Sequence, residues 1–69
     1  MVSRFKTNVR YRHLCAKTYD IFITKIQYVD EKRTKCKGYF VSKLSGNPEG
    51  NLQSFVILKE EYEFWGRVE

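Results

Sequence analysis

YDIFITKIQYV (Tyr19–Val29), DEKR (Asp30–Arg33) and TKCKGYFVSKL (Thr34–Leu44) are the stretch whose reading decides the fold. The first and last pieces are rich in β-branched and aromatic residues, which suit a pleated, half-buried surface. Four charged residues separate them. Two long strands joined through a polar turn predict an antiparallel hairpin. A register centred on Lys32 sets Phe22, Thr24, Ile26 and Tyr28 on one face with Cys36, Gly38, Phe40, Ser42 and Leu44. That face is the expected core. The opposite face carries Lys25, Gln27 and Val29 against Lys35, Lys37 and Tyr39. Ile21 and Ile23 interrupt its polarity, and a strand bent over a barrel, buried on both sides at one end, accounts for them.

Working outward, residues 4–13 alternate with period two. Phe5, Thr7, Val9, Tyr11 and His13 point one way, while Arg4, Lys6, Asn8, Arg10 and Arg12 point the other. Only Phe5 and Val9 satisfy a helical spacing, so a strand with a cationic outer face is expected. Residues 14–18 connect it to the hairpin. Ser45-Gly46-Asn47-Pro48-Glu49-Gly50-Asn51 is dense in turn formers and predicts a loop. Leu52 to Leu58 reads as a short strand, Lys59 to Tyr62 as one helical turn, and Glu63 to Val68 as a last strand.

The expected fold is therefore all-β: a small five-stranded antiparallel SH3-like barrel spanning residues 1–69 as a single domain. An OB-like barrel is one alternative. An α+β sheet crossed by an N-terminal helix over residues 1–17 is the other. A chain of 69 residues has room for one domain only, and at this size about 60% of the unfolded surface is buried. Five Tyr, five Phe and one Trp supply apolar area from few side chains. That aromatic content argues against disorder.

Thirteen Lys and Arg against eight Asp and Glu give a net charge of +5. The charge is unevenly spread. Residues 1–43 hold eleven basic and three acidic side chains, a net +8, and residues 44–69 hold two and five, a net −3. An electropositive face with an acidic C-terminal segment follows. Cys15 and Cys36, without a secretory signal, point to a reducing, cytoplasmic location with both thiols acting as small core residues. No apolar run approaches the ~20 residues of a membrane span, so no membrane partner is expected. The chain opens at Met1 without a leader and reads as a complete short gene product. Its size suits an accessory protein of a virus or mobile element.

The pattern that carries the most chemistry is the basic, aromatic-interleaved surface. Outward side chains two apart on a strand are ~6.5–7 Å apart, close to the spacing of successive phosphates on a single strand. The expected function is thus non-catalytic nucleic-acid binding, with single strands or RNA favoured. Arg4, Lys6, Arg10, Arg12, Lys25, Lys35 and Lys37 are the expected phosphate contacts, and Tyr39 a stacking platform for a base. No base-reading helix is visible, so weak sequence specificity is expected. Lys37-Gly38-Tyr39-Phe40-Val41 lacks the small residue between its aromatics that the strand signature of RNA-recognition sheets needs, and no membership of that family follows.

The alternative is a protein-interaction module, a regulator or inhibitor of a larger complex, using Tyr62, Phe64 and Trp65. The competing structural reading of those residues is a plug at one end of the barrel. His13, Cys15 and Cys36 fall short of the four paired ligands of a structural zinc site, so neither metal nor cofactor is expected. A small ribonuclease built on His13 is the remaining enzymatic possibility, without a spacing that singles out an acid–base pair. A monomer or a homodimer formed through sheet edges fits the size.

Overall fold

The computed structural model describes residues 4–68. Strand-forming sequence gives strands: β1 (Val9–His13), β2 (Tyr19–Val29), β3 (Arg33–Ser42), β4 (Pro48–Leu58) and β5 (Trp65–Arg67), with a 3-10 turn at Lys59–Phe64. All pairings are antiparallel and the spatial order is β4-β3-β2-β1-β5. The protein is an all-β domain. Among the described residues β4 pairs with β3 and β5 with β1, and no pairing joins β4 to β5. Among the described residues no helix crosses the sheet: residues 4–8 form bends and a turn before β1.

The N-terminal strand is shorter than its alternation predicts. Asn8 adopts φ 60°, a left-handed conformation that Asn tolerates and that breaks an extended run. Phe5 therefore reaches the core from a bend rather than from a strand, and is almost fully buried. β4 starts at Pro48, so the loop before it is confined to Lys43–Asn47. Leu44, expected in the core, lies in that loop and is fully exposed.

The hairpin forms, but its faces differ from a simple period-two reading. Val29 pairs with Thr34 and Tyr28 with Lys35. Ile26 then pairs with Cys36 and Lys25 with Lys37, and below these Ile23 pairs with Gly38 and Ile21 with Phe40. The register thus slips twice, leaving Thr24 and Gln27 as extra residues in β2. Each such bulge turns the following side chain to the opposite face. Ile21 and Ile23 consequently point into the core, Lys25 points out, Ile26 points in, and Tyr28 points out. Phe22 and Thr24 are thereby removed from the expected core. The bulge is stabilised locally, since the Thr24 hydroxyl donates to the Lys37 carbonyl at 3.1 Å.

The core that results contains Phe5, Tyr11, Ile21, Ile23, Cys36 and Ile57, with Val9, Ile26, Phe55, Tyr62 and Trp65 packed around it. Phe5 meets Tyr11 and Tyr62 edge-to-face at 4.9 and 5.3 Å, an arrangement favoured by ring quadrupoles. Gly38 sits where no side chain fits: a Cβ there would lie 1.9 Å from the Phe22 carbonyl oxygen. Buried Thr34 shares a 2.6 Å hydrogen bond with the Tyr62 hydroxyl, so its polar atom is satisfied.

Candidate nucleic-acid interface

The core-facing side of β3 is set by Thr34, Cys36 and Gly38, all buried. Lys35, Lys37 and Tyr39 therefore point to the other face. Cross-strand register extends that face into rows. Lys25, Lys37 and Ser54 form one row, and Tyr28, Lys35 and Val56 the next. Phe22 stands opposite Tyr39. No acidic side chain occupies these rows. Lys25 faces Lys37 directly, an arrangement that is locally unfavourable because like charges sit side by side. Lys25 is exposed, Lys35 and Lys37 are partly so, and none of the three has an ion-pair partner among the described residues.

Strict alternation misplaces Tyr28, as it does Phe22 and the exposed Phe40. Tyr28 was expected in the core and is instead 46% exposed beside Lys35. Only the bulge at Gln27 puts it there, and no compositional signal marks that bulge. Tyr39 is half-buried against its neighbours, which leaves Tyr28 as the more accessible ring.

The arginines of β1 are engaged otherwise. Arg10 Nε donates to Asp20 Oδ2 at 2.8 Å, while Arg12 Nε and Nη2 donate to Oδ1 and Oδ2 at 2.9 and 3.0 Å. Asp20 is 1% exposed, and a buried carboxylate persists only when its charge is matched. Burial raises the Asp20 carboxyl, but hydrogen bonds and charge from Arg12 and Arg10 outweigh it and hold the group below the usual carboxylate range. Arg10 also reaches the Ser42 carbonyl at 3.4 Å. Arg10 and Arg12 thus tie β1 to β2 and the β3 end. What separates the two groups is pairing: Arg10 and the exposed Arg12 are held by Asp20, whereas Lys25, Lys35 and Lys37 have no ion pair among the described residues.

Arg4 and Lys6 lie before β1. Arg4 donates to the Trp65 carbonyl at 2.6 Å and stacks over Phe5 at 5.2 Å, while the Lys6 side chain is exposed. Neither joins the rows of Lys25, Lys35 and Lys37. The expected single stripe of Arg4, Lys6, Arg10 and Arg12 does not exist, because the strand they were to share begins only at Val9.

The C-terminal aromatics mostly serve the fold. Tyr62 bonds Thr34 and packs on Phe5, and Trp65 lies 5.0 Å from His13 in an edge-to-face contact. Phe64 is 5.9 Å from His13 and partly exposed. His13 Nδ1 accepts a hydrogen bond from the Cys15 amide at 3.0 Å. The two cysteines are free. Cys36 is buried, and burial pushes its thiol up to about 11. Cys15 is exposed rather than a core residue, because residues 14 and 15 form a turn after β1. Among the described residues no three His, Cys, Asp or Glu side chains gather as metal ligands, and no helix is long and apolar enough to cross a membrane.

Comparison with protein-family models, curated proteins and solved structures finds no match for this chain.

Proposed function

We infer that the protein binds single-stranded nucleic acid, without catalysis, through the outer face of β2 and β3. Lys25, Lys35 and Lys37 contact phosphates there, and Tyr28 and Tyr39, on either side of the Lys25–Lys37 row, offer stacking surfaces. The observation that carries this reading is the Lys25–Lys37 pair standing directly opposite, with Lys35 in the next row and no carboxylate among them. Such a cluster costs the isolated protein stability, and an anionic chain laid across it relieves that cost. A flat strand face with exposed tyrosine suits unpaired bases, since every base has a face to stack. Among the described residues there is no α-helix to enter a major groove.

The alternative use of Tyr62, Phe64 and Trp65 as a protein contact draws less support, because Tyr62 and Trp65 are engaged within the fold and only Phe64 is exposed. Titrating isotopically labelled protein with a short oligo-deoxythymidine discriminates between surfaces. Amide signals of Lys25, Tyr28, Lys35 and Lys37 are expected to move, and those of residues 62–65 to stay. Movement confined to residues 62–65, or none at low salt, contradicts the proposal.

A further inference from the structure

β4 is the outermost strand of the sheet, and among the described residues nothing pairs with its free side. Its eleven residues make a long edge, and Gly50–Leu58 contains nine residues without a single charge. Leu52 and Val56 are 48% and 52% exposed. Proteins that keep a long edge solvated usually guard it with lysine, proline or inward charge. Here Pro48 and the register shift between Glu49 and Gln53 guard only the start of the strand, and nothing from Gln53 to Leu58 guards the rest. The other edge, β5, is only three residues long.

We propose that the free edge of β4 pairs antiparallel with β4 of a second copy of this chain, about a twofold axis through Ser54 perpendicular to the sheet. Symmetry limits the register to pairings centred on one residue, and Ser54 is the centre that brings the exposed Leu52 and Val56 together. An axis perpendicular to the sheet keeps each side chain on its own face, so a residue must pair with one of matching parity. Centring on Ser54 sets Leu52 of one copy against Val56 of the other, twice. The ladder with β3 is regular from Leu58 to Gln53, and Leu52 stands at its end, before the register shift that contains Gly50 at φ 73°. Beyond it Glu49 is carried toward the far end of the second β4, where Lys59 follows the uncharged run. The occupant is a second copy because an uncharged edge meets itself without opposing like charges, whereas the rest of this +5 chain repels its own kind.

The pairing closes. It consumes the long edge of both copies and leaves only the short β5 edges, so a dimer forms rather than a fibre. It also places both Lys25–Lys35–Lys37 faces on one side of a continuous ten-stranded sheet. The proposal extends the nucleic-acid reading but does not depend on it, since it is tested without nucleic acid.

Edge pairing alone buries less than the ~1,200–2,000 Å² of a stable interface, so the dissociation constant is expected near ~100 μM. Sedimentation equilibrium from low micromolar to millimolar protein is therefore expected to show a monomer–dimer equilibrium. Screening of the net positive charge should strengthen it as salt rises, the opposite of phosphate binding. Val56→Lys is expected to weaken the dimer at least tenfold, and Leu44→Lys, in the β3–β4 loop, to leave it unchanged, with circular dichroism confirming both fold. Combining Leu52→Glu with Val56→Lys sets Glu against Lys across the axis and is expected to restore association. A monomer at every concentration, equal effects of the Val56 and Leu44 variants, or a double variant that stays monomeric overturns the pairing.

Discussion

At the residue scale, single positions decide what the strands are able to do. Gly38 is required by its backbone approach to Phe22: the carbonyl oxygen leaves no room for a Cβ. Gly38→Ala must push two strands apart and is expected to cost about 3 kcal/mol, measurable by urea unfolding. Cys36 and Cys15 differ in access and in chemistry. With the Cys36 thiol pushed up to about 11 and shut in the core, little thiolate forms at pH 8. Iodoacetamide at that pH is expected to label Cys15 and spare Cys36 in the native protein, with both labelled in urea; mass spectrometry of the peptides reads the difference.

At the element scale, β1 is held by charge as much as by its ladder. Asp20 sits buried under Arg10 and Arg12, and replacing it with Ala is expected to destabilise the fold by about 2 kcal/mol. The figure is less than that for a fully buried pair, since both arginines reach solvent. Because the Asp20 carboxyl is held below its ordinary range, its contribution is present above the unfolded value near pH 4. It is lost as pH falls through the folded value. Unfolding free energy should therefore drop as pH falls below about 4, and the Asp20→Asn variant should show a shallower drop. An identical pH profile for both proteins contradicts that role.

The same scale shows why the faces of β2 were only partly legible. The β-branched and aromatic composition of 19–29 and 34–42 announced the hairpin, and the lysines at 25, 35 and 37 were placed on its outer face correctly. Ile21, Ile23 and Tyr28 were not. Strict alternation cannot represent two bulged residues, and Thr24 and Gln27 are not turn formers that would advertise them. Likewise the alternation of 4–13 looked like one strand because Asn8 is compatible with either backbone. The buried Asp20 was invisible for another reason: its partners lie eight and ten residues away on a neighbouring strand, so their pairing depends on register.

At the scale of the whole molecule, the charge asymmetry acquires a location. Within residues 1–43 Arg10 and Arg12 neutralise Asp20 and Arg4 holds the Trp65 carbonyl, whereas Lys25, Lys35 and Lys37 have no ion pair among the described residues. The core takes the inner face of β2 and β3. On their outer face the rows that hold Lys25, Lys35 and Lys37 contain no carboxylate, Asp20 lying further along β2 under Arg10 and Arg12. Net charge by itself did not distinguish these groups; the pairing of β1 with β2 did.

The central claim is therefore a claim about which cations bind. It is tested most directly by the salt dependence of binding to a fluorescent single-stranded oligonucleotide, for the wild type, the Lys25→Ala/Lys37→Ala variant and the Arg10→Ala variant. Three phosphate contacts predict a slope of log affinity against log salt near −2, at about −0.7 per contact on a single strand. The lysine variant should lose about two-thirds of that slope, while Arg10→Ala should lose stability and keep it. A slope unchanged by removal of Lys25 and Lys37, or abolished by removal of Arg10 in protein shown to be folded, contradicts the account.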